Sequence, residues 1–135
     1  MTGKGLILCA TAVALLTASA PAAHASEPLP LRMPGKAGRL GNERLSDEKT
    51  LTRFALPNRR VTIRRTPAEH GRPIAKLHWY TEDFFDEIYI VLESRRVKGV
   101  EWVEVRVPGR PNGRTGWVPR WGLRPFRIVT LRFSR

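Results

Sequence analysis

The sequence predicts a small all-β barrel, and three features of residues 59–125 predict it. Short apolar runs recur there at close spacing, broken by turn residues, the texture of a small barrel and not of helices. Residues 100–107 alternate, with Val103, Val105 and Val107 on one face and Trp102, Glu104 and Arg106 on the other, as a half-buried strand requires. Pro108-Gly109-Arg110-Pro111-Asn112-Gly113 then supplies a hairpin loop in which Asn112-Gly113 accepts positive φ.

From the N-terminus, Met1-Thr2-Gly3-Lys4 leads into an apolar stretch over 6–18 and a small-residue end, Ala20-Pro21-Ala22-Ala23-His24-Ala25. One early charge, a short hydrophobic centre and a small-x-small end read as a cleavable secretory signal over residues 1–25. The centre is shorter than the roughly 20 apolar residues that a spanning helix needs. Cys9 lies inside that centre and is the chain's one cysteine. The expected mature chain therefore has no thiolate nucleophile, disulfide or cysteine-based metal site.

Residues 26–58 read as a linker, mostly disordered, with Pro28, Pro30 and Pro34 and no apolar period. Within it, 42–51 could hold a short helix with only Leu45 and Leu51 facing a core. Thr52-Arg53-Phe54-Ala55-Leu56-Pro57 is the first apolar cluster and leads into the domain.

Five short strands are expected in 59–125. The first, 61–65, stops at Thr66-Pro67, and the second, 73–79, follows a turn at His70-Gly71. The third, 88–92, is an unbroken run of β-formers too short for a helix. The alternating run over 100–107 and the return strand 115–118 complete the set. Trp121-Gly122-Leu123 reads as a tight closing turn, and 126–133 as one more β-like run in a C-terminal tail, 126–135, or the start of a missing domain.

Trp102-x-x-Val105, a Gly-bearing turn and Gly116-Trp117-Val118 resemble the last hairpin of bacterial SH3-like (SH3b) domains, and Val61-x-Ile63-Arg64-x-x-Pro67 resembles their opening strand. On that resemblance Gly116 permits close backbone approach and Trp117 fills the barrel. Thr52-Arg53-Phe54-Ala55 together with the 108–119 loop and strand is similar to the N-terminal half of exported L,D-transpeptidases, over roughly residues 50–125. The resemblance implies an SH3-like barrel and a role in peptidoglycan cross-linking for a full-length parent. That enzyme class needs a cysteine nucleophile with a nearby His. No family catalytic residue maps onto this chain, so no catalytic residue and no enzymatic activity are expected.

Charge narrows the partners. Of 135 residues, 24 are Lys or Arg and 12 Asp or Glu, a formal +12. Loss of the signal removes only Lys4, leaving 23 basic against 12 acidic residues, or +11. Nineteen of the cations are Arg, suited to bidentate pairing with carboxylate or phosphate. For an exported protein the polyanions in reach are wall polymers, peptidoglycan carboxylates and lipid head groups. Nucleic acid is not an expected partner.

Trp79, Tyr80, Trp102 and Trp121 are the candidate aromatic shelf for a peptide or sugar, with Arg110, Arg114 and Arg120 flanking the last hairpin as carboxylate contacts. His70 and His78 read as turn and strand-surface residues. Glu82-Asp83-Phe84-Phe85-Asp86-Glu87 lacks the Asp-x-Asp-x-Asp-Gly spacing of a calcium loop and reads as a charged tip pairing with the abundant Arg. No cofactor or metal is expected.

The reading is thus an exported, non-catalytic cell-envelope module binding peptidoglycan or its stem peptides, expected to be a monomer without a transmembrane segment in its mature form. The alternatives are a truncated front half of an L,D-transpeptidase, and a scaffold module that binds an envelope protein.

Overall fold

The computed structural model describes residues 27–33, 35 and 38–129. The expected signal over 1–25, and residues 130–135 of the expected tail, lie outside them. The described residues form β1 (Glu43–Arg44), β2 (Thr52–Ala55), β3 (Thr62–Arg64), β4 (Pro73–Lys76), β5 (Tyr89–Val97), β6 (Val100–Arg106), β7 (Thr115–Pro119), a 3₁₀ turn (Arg120–Gly122) and β8 (Arg127–Val129). The class is all-β. The strands make one antiparallel sheet in the order β4-β3-β7-β6-β5-β2-β8, with β1 also paired to β5. Five of the strands, β3–β7, lie in 59–125, where five were expected, and three more lie outside that range.

Two of the additional strands come from the segment read as a linker. Leu40, Leu45 and Ala55 belong to the hydrophobic core, together with Ile63, Leu77, Tyr89, Val91, Val103, Val105, Val107, Val118 and Leu123. The third is β8, from the segment read as a tail, which pairs with β2 through Arg53↔Ile128. The sheet thus extends beyond the expected 59–125 on both sides. Its physical reason lies in β2, whose buried positions are Arg53 and Ala55 while Phe54 is only half-buried. A strand that turns an arginine inward carries no apolar alternation to announce it.

Strand β5 is longer than its apolar run because Lys98 and Gly99 both take positive φ, 50° and 78°. That is the backbone of a type I′ hairpin turn, whose twist matches that of the flanking strands. It pairs β5 with β6 from Val97↔Val100 to Val91↔Val105. A register shift between Val91 and Glu93 moves the buried positions from Tyr89 and Val91 to Ser94, as one extra residue in a ladder must. Tyr89 accepts a hydrogen bond at its hydroxyl from the His78 N–H (2.9 Å) and is buried in the core. Desolvation pushes its hydroxyl pKa up to about 12.

The short helix anticipated in 42–51 is replaced by β1 and a turn organised by Asp47. Its Oδ1 accepts the N–H groups of Lys49, Thr50 and Leu51 at 2.9, 2.9 and 2.8 Å, and Oδ2 accepts the Thr50 hydroxyl. The Thr50 hydroxyl first, then the backbone donors, hold the Asp47 carboxyl well below the usual carboxylate range. A depressed folded-state pKa gives stability that is present above about pH 4 and lost as pH falls. Acidifying below about pH 4 should therefore lower Tm more in the wild type than in Asp47→Ala, measured by thermal unfolding across that range. Parallel Tm curves for the two proteins would refute the assignment.

Candidate functional site

Alternation along β6 and β7 decides what lies outside the core. Val103, Val105 and Val118 are core residues, so their neighbours Trp102, Trp117 and Pro119 stand on the opposite face. The pairs Trp102↔Pro119 and Glu104↔Trp117 lie side by side there. Trp117, expected to fill the barrel, is buried at 8% exposure but stands outside the main core cluster. Val118 takes the core position, and Trp117 is covered from outside by the Arg95 guanidinium 5.7 Å from its ring centroid. Glu104, half-buried in this layer, has its pKa raised by desolvation, against a hydrogen bond from Thr115.

At the edge of this face, where β6 begins and β7 ends, a cleft of about 430 Å³ opens between Arg60, Val61, Thr62, Arg64, Glu69, Val100, Trp102, Pro119 and Trp121. Trp102 is its floor, with only 4% of its surface exposed, while Trp121 is 57% exposed on the 3₁₀ turn and makes one wall. The turn is anchored from the facing loop, since Asn58 donates through its backbone N–H to the Gly122 carbonyl at 2.8 Å and through Nδ2 to the Trp121 carbonyl at 3.2 Å. Arg64 donates from Nη1 to the Gly71 carbonyl at 2.9 Å. Arg60 is exposed at the rim.

The expected shelf is therefore divided. Trp102 and Trp121 share one cleft. Tyr80 lines a different cavity with His78, Thr81, Glu82, Asp83, Glu87, Pro108 and Gly109. Trp79 is half-buried beneath Arg124, whose guanidinium lies 5.8 Å from its ring centroid. The arginines divide likewise. Arg110 is exposed in the loop before β7, and Arg114 has a buried Nε without a hydrogen-bond partner among the described residues. Both precede β7, whereas the Trp102–Trp121 cleft lies at that strand's far end.

Arg120 is beside the cleft but is committed elsewhere. Its guanidinium lies 4.3 Å from the Phe126 ring centroid and donates to the Leu123 carbonyl at 2.8 Å. Desolvation lowers its pKa, and Glu101 opposes that effect. It lines a neighbouring cavity of about 370 Å³ with Arg39, Arg96 and Glu101, and this cavity shares Val100 and Trp121 with the cleft. Arg96 pairs with Glu101 at 2.8 Å and Arg39 approaches the same oxygen at 3.8 Å.

The cations that do reach the cleft, Arg60 and Arg64, were not among the expected site residues. The sequence signal for them was their position at the entrance to and within the first expected strand, opposite a hairpin ending in Trp121.

Among the described residues no three His, Cys, Asp or Glu side chains gather as metal ligands, and no helix is long and apolar enough to cross a membrane. No protein-family model, curated protein or solved structure matches the chain.

Proposed function

We propose that the protein is an exported, non-catalytic binding module of the cell envelope, docking an extended peptide such as a peptidoglycan stem peptide in the Trp102–Trp121 cleft. The observation that carries this reading is an exposed indole standing beside a buried one in a cleft edged by two arginines. Aromatic-walled grooves suit extended peptides, and guanidinium groups suit their carboxylates. No bond is made or broken in such docking. Export rests on the composition of residues 1–25. The SH3-like reading is supported by the β5–β6–β7 meander, the 3₁₀ turn after it and the return of β8 against β2.

Co-sedimentation with purified cell wall tests the proposal. Trp121→Ala should weaken binding at least about tenfold, as loss of a central aromatic anchor does, and Trp79→Ala should leave it unchanged. Raising salt should reduce wild-type binding only in part, because surface charge is screened and groove contact is not. Equal binding by Trp121→Ala and wild type, or complete loss at high salt, would defeat it.

A further inference from the structure

Residues 79–87, between β4 and β5, form a small closed loop. Tyr80 and Asp86 make an antiparallel bridge. Thr81 donates its N–H to the Phe85 carbonyl at 2.8 Å, and its own carbonyl and hydroxyl accept the N–H groups of Phe84 (3.1 Å) and Phe85 (3.2 Å). Glu87 donates its N–H to the Trp79 carbonyl at 3.0 Å.

This bracing holds two phenyl rings in solvent. Phe84 is 86% exposed and Phe85 73%, and both Tyr80 and Ile88 are exposed beside them. Phe84 also has φ 62°, a left-handed conformation that is an outlier for a bulky residue. Two adjacent, largely exposed phenyl rings on a braced, strained loop suit a contact surface.

Its charge identifies the partner's chemistry. Glu82, Asp83, Asp86 and Glu87 surround the rings, and none is within ion-pair distance of a Lys or Arg among the described residues. The expected pairing of this loop with the chain's own arginines does not occur. Glu87 accepts a hydrogen bond from the Tyr89 hydroxyl at 3.3 Å, and the four carboxylates, unneutralised on a chain of net +12, are repelled by anionic lipid and by anionic wall polymer. They suit an aromatic cleft lined by two arginines against a single carboxylate, Glu69.

Such a cleft exists on the same molecule, at its other end. The Trp102–Trp121 cleft includes Val100, where β6 begins. The cavity beside the acidic loop includes Pro108 and Gly109, just past where β6 ends. From Val100 to Pro108, at about 3.3 Å per residue, the two lie roughly 26 Å apart along the strand, so the loop is out of reach of its own molecule's cleft.

We propose that the acidic Phe84–Phe85 loop of one copy docks in the Arg60/Arg64-edged Trp102–Trp121 cleft of a second copy, giving head-to-tail self-association. Such a contact joins unlike surfaces and leaves a free loop at one end and a free cleft at the other, so it propagates. It needs the cleft to be open but not the wall ligand proposed above. Wall binding can fail while self-association stands, and the reverse.

Sedimentation equilibrium of the purified protein tests this with two variants. Phe84→Asn/Phe85→Ser removes the rings, and Asn tolerates the left-handed backbone. Arg60→Glu/Trp121→Ser removes an exposed charge and the exposed indole of the cleft. The wild type should show a weight-average mass that rises with concentration and falls with added salt. Each variant alone should sediment as a single chain. Mixed in equal amounts, they should associate again but stop at a heterodimer, because each retains one working surface. A wild type that stays at one chain's mass at all concentrations overturns the proposal, as does a mixture that fails to associate. Flotation of the wild type, but not the Phe84→Asn/Phe85→Ser variant, with phosphatidylcholine–phosphatidylglycerol vesicles while it remains monomeric also overturns it, and would make the rings a membrane contact.

Discussion

Gly116→Ala should cost about 2–3 kcal/mol of folding stability, near the upper end of what overpacking by one methyl causes. Gly116 lies on the inward face of β7, opposite Val105. A methyl group there would stand 2.5 Å from Ile63 Cγ2, 2.6 Å from Ile74 Cδ1 and 3.1 Å from the Arg64 carbonyl oxygen. Ile74 can swing its terminal carbon away. Ile63 cannot, because it is fully buried and branched at Cβ, and the carbonyl belongs to the strand itself. The strain must therefore be relieved by moving β3 away from β7, where the pairing runs through Arg64↔Trp117. The β3–β4 hairpin depends on that contact to join the sheet. Thermal unfolding should show Tm lowered by on the order of 10–20 °C, with hydrogen exchange accelerated first in β3 and β4. As a contrast, a methyl on Gly99 meets nothing within 4 Å and should cost only the modest strain of its positive φ. If Gly116→Ala unfolds like the wild type, the close approach of β3 to β7 is wrong.

Arg53→Met should be the second large loss, about 2–4 kcal/mol, from leaving two carbonyls without their donor. Arg53 is only 4% exposed on the inward side of β2. Its guanidinium donates to the Leu45 carbonyl and, at 2.6 Å, to the Arg32 carbonyl. The backbone N–H of the same residue donates to Ser46 Oγ at 2.8 Å, and that hydroxyl donates to the Val91 carbonyl at 2.5 Å. One arginine thus ties residues 32 and 45 to β2 and, through Ser46, to β5. Desolvation lowers its pKa, so burial of the charge opposes part of what the hydrogen bonds contribute. Methionine fills similar space without the donors, and lysine restores a charge without the planar fork that serves two acceptors. Both variants should lose protection at the amides of Arg32 and Arg44, which bond to the Arg44 and Pro30 carbonyls at 2.7 and 2.9 Å. Unchanged exchange at those amides in Arg53→Met would show that the N-terminal segment is held by its apolar residues alone.

These two positions mark where local reading succeeds and where it stops. Gly116 was legible because a glycine between strand-forming neighbours signals close approach. Gly116-Trp117-Val118 also shows that the tryptophan and the valine cannot share a face, and that alternation was the unused clue to Trp117. The Lys98-Gly99 pair was a similar unused clue to the β5–β6 hairpin. Arg53 was not legible, since its burial depends on carbonyls 8 and 21 residues away. The same holds for the register shift after Val91, which reverses the alternation that a reader would extend along β5.

The division at the functional surface has the same cause. Composition and turn residues by themselves determined an all-β chain, the loop over 108–113, the turn at 121–123 and a strongly basic surface with an acidic patch at 82–87. Only the tertiary structure decided that Trp121 meets Trp102 while Tyr80 lies elsewhere, that Arg60 and Arg64 reach the cleft while Arg110 and Arg114 do not, and that Glu43–Arg44 and Thr52–Ala55 belong to the sheet. Alternation and turn chemistry are properties of neighbours in sequence, whereas strand order, register and the meeting of side chains across strands are set by non-local pairing, on which the local pattern is silent.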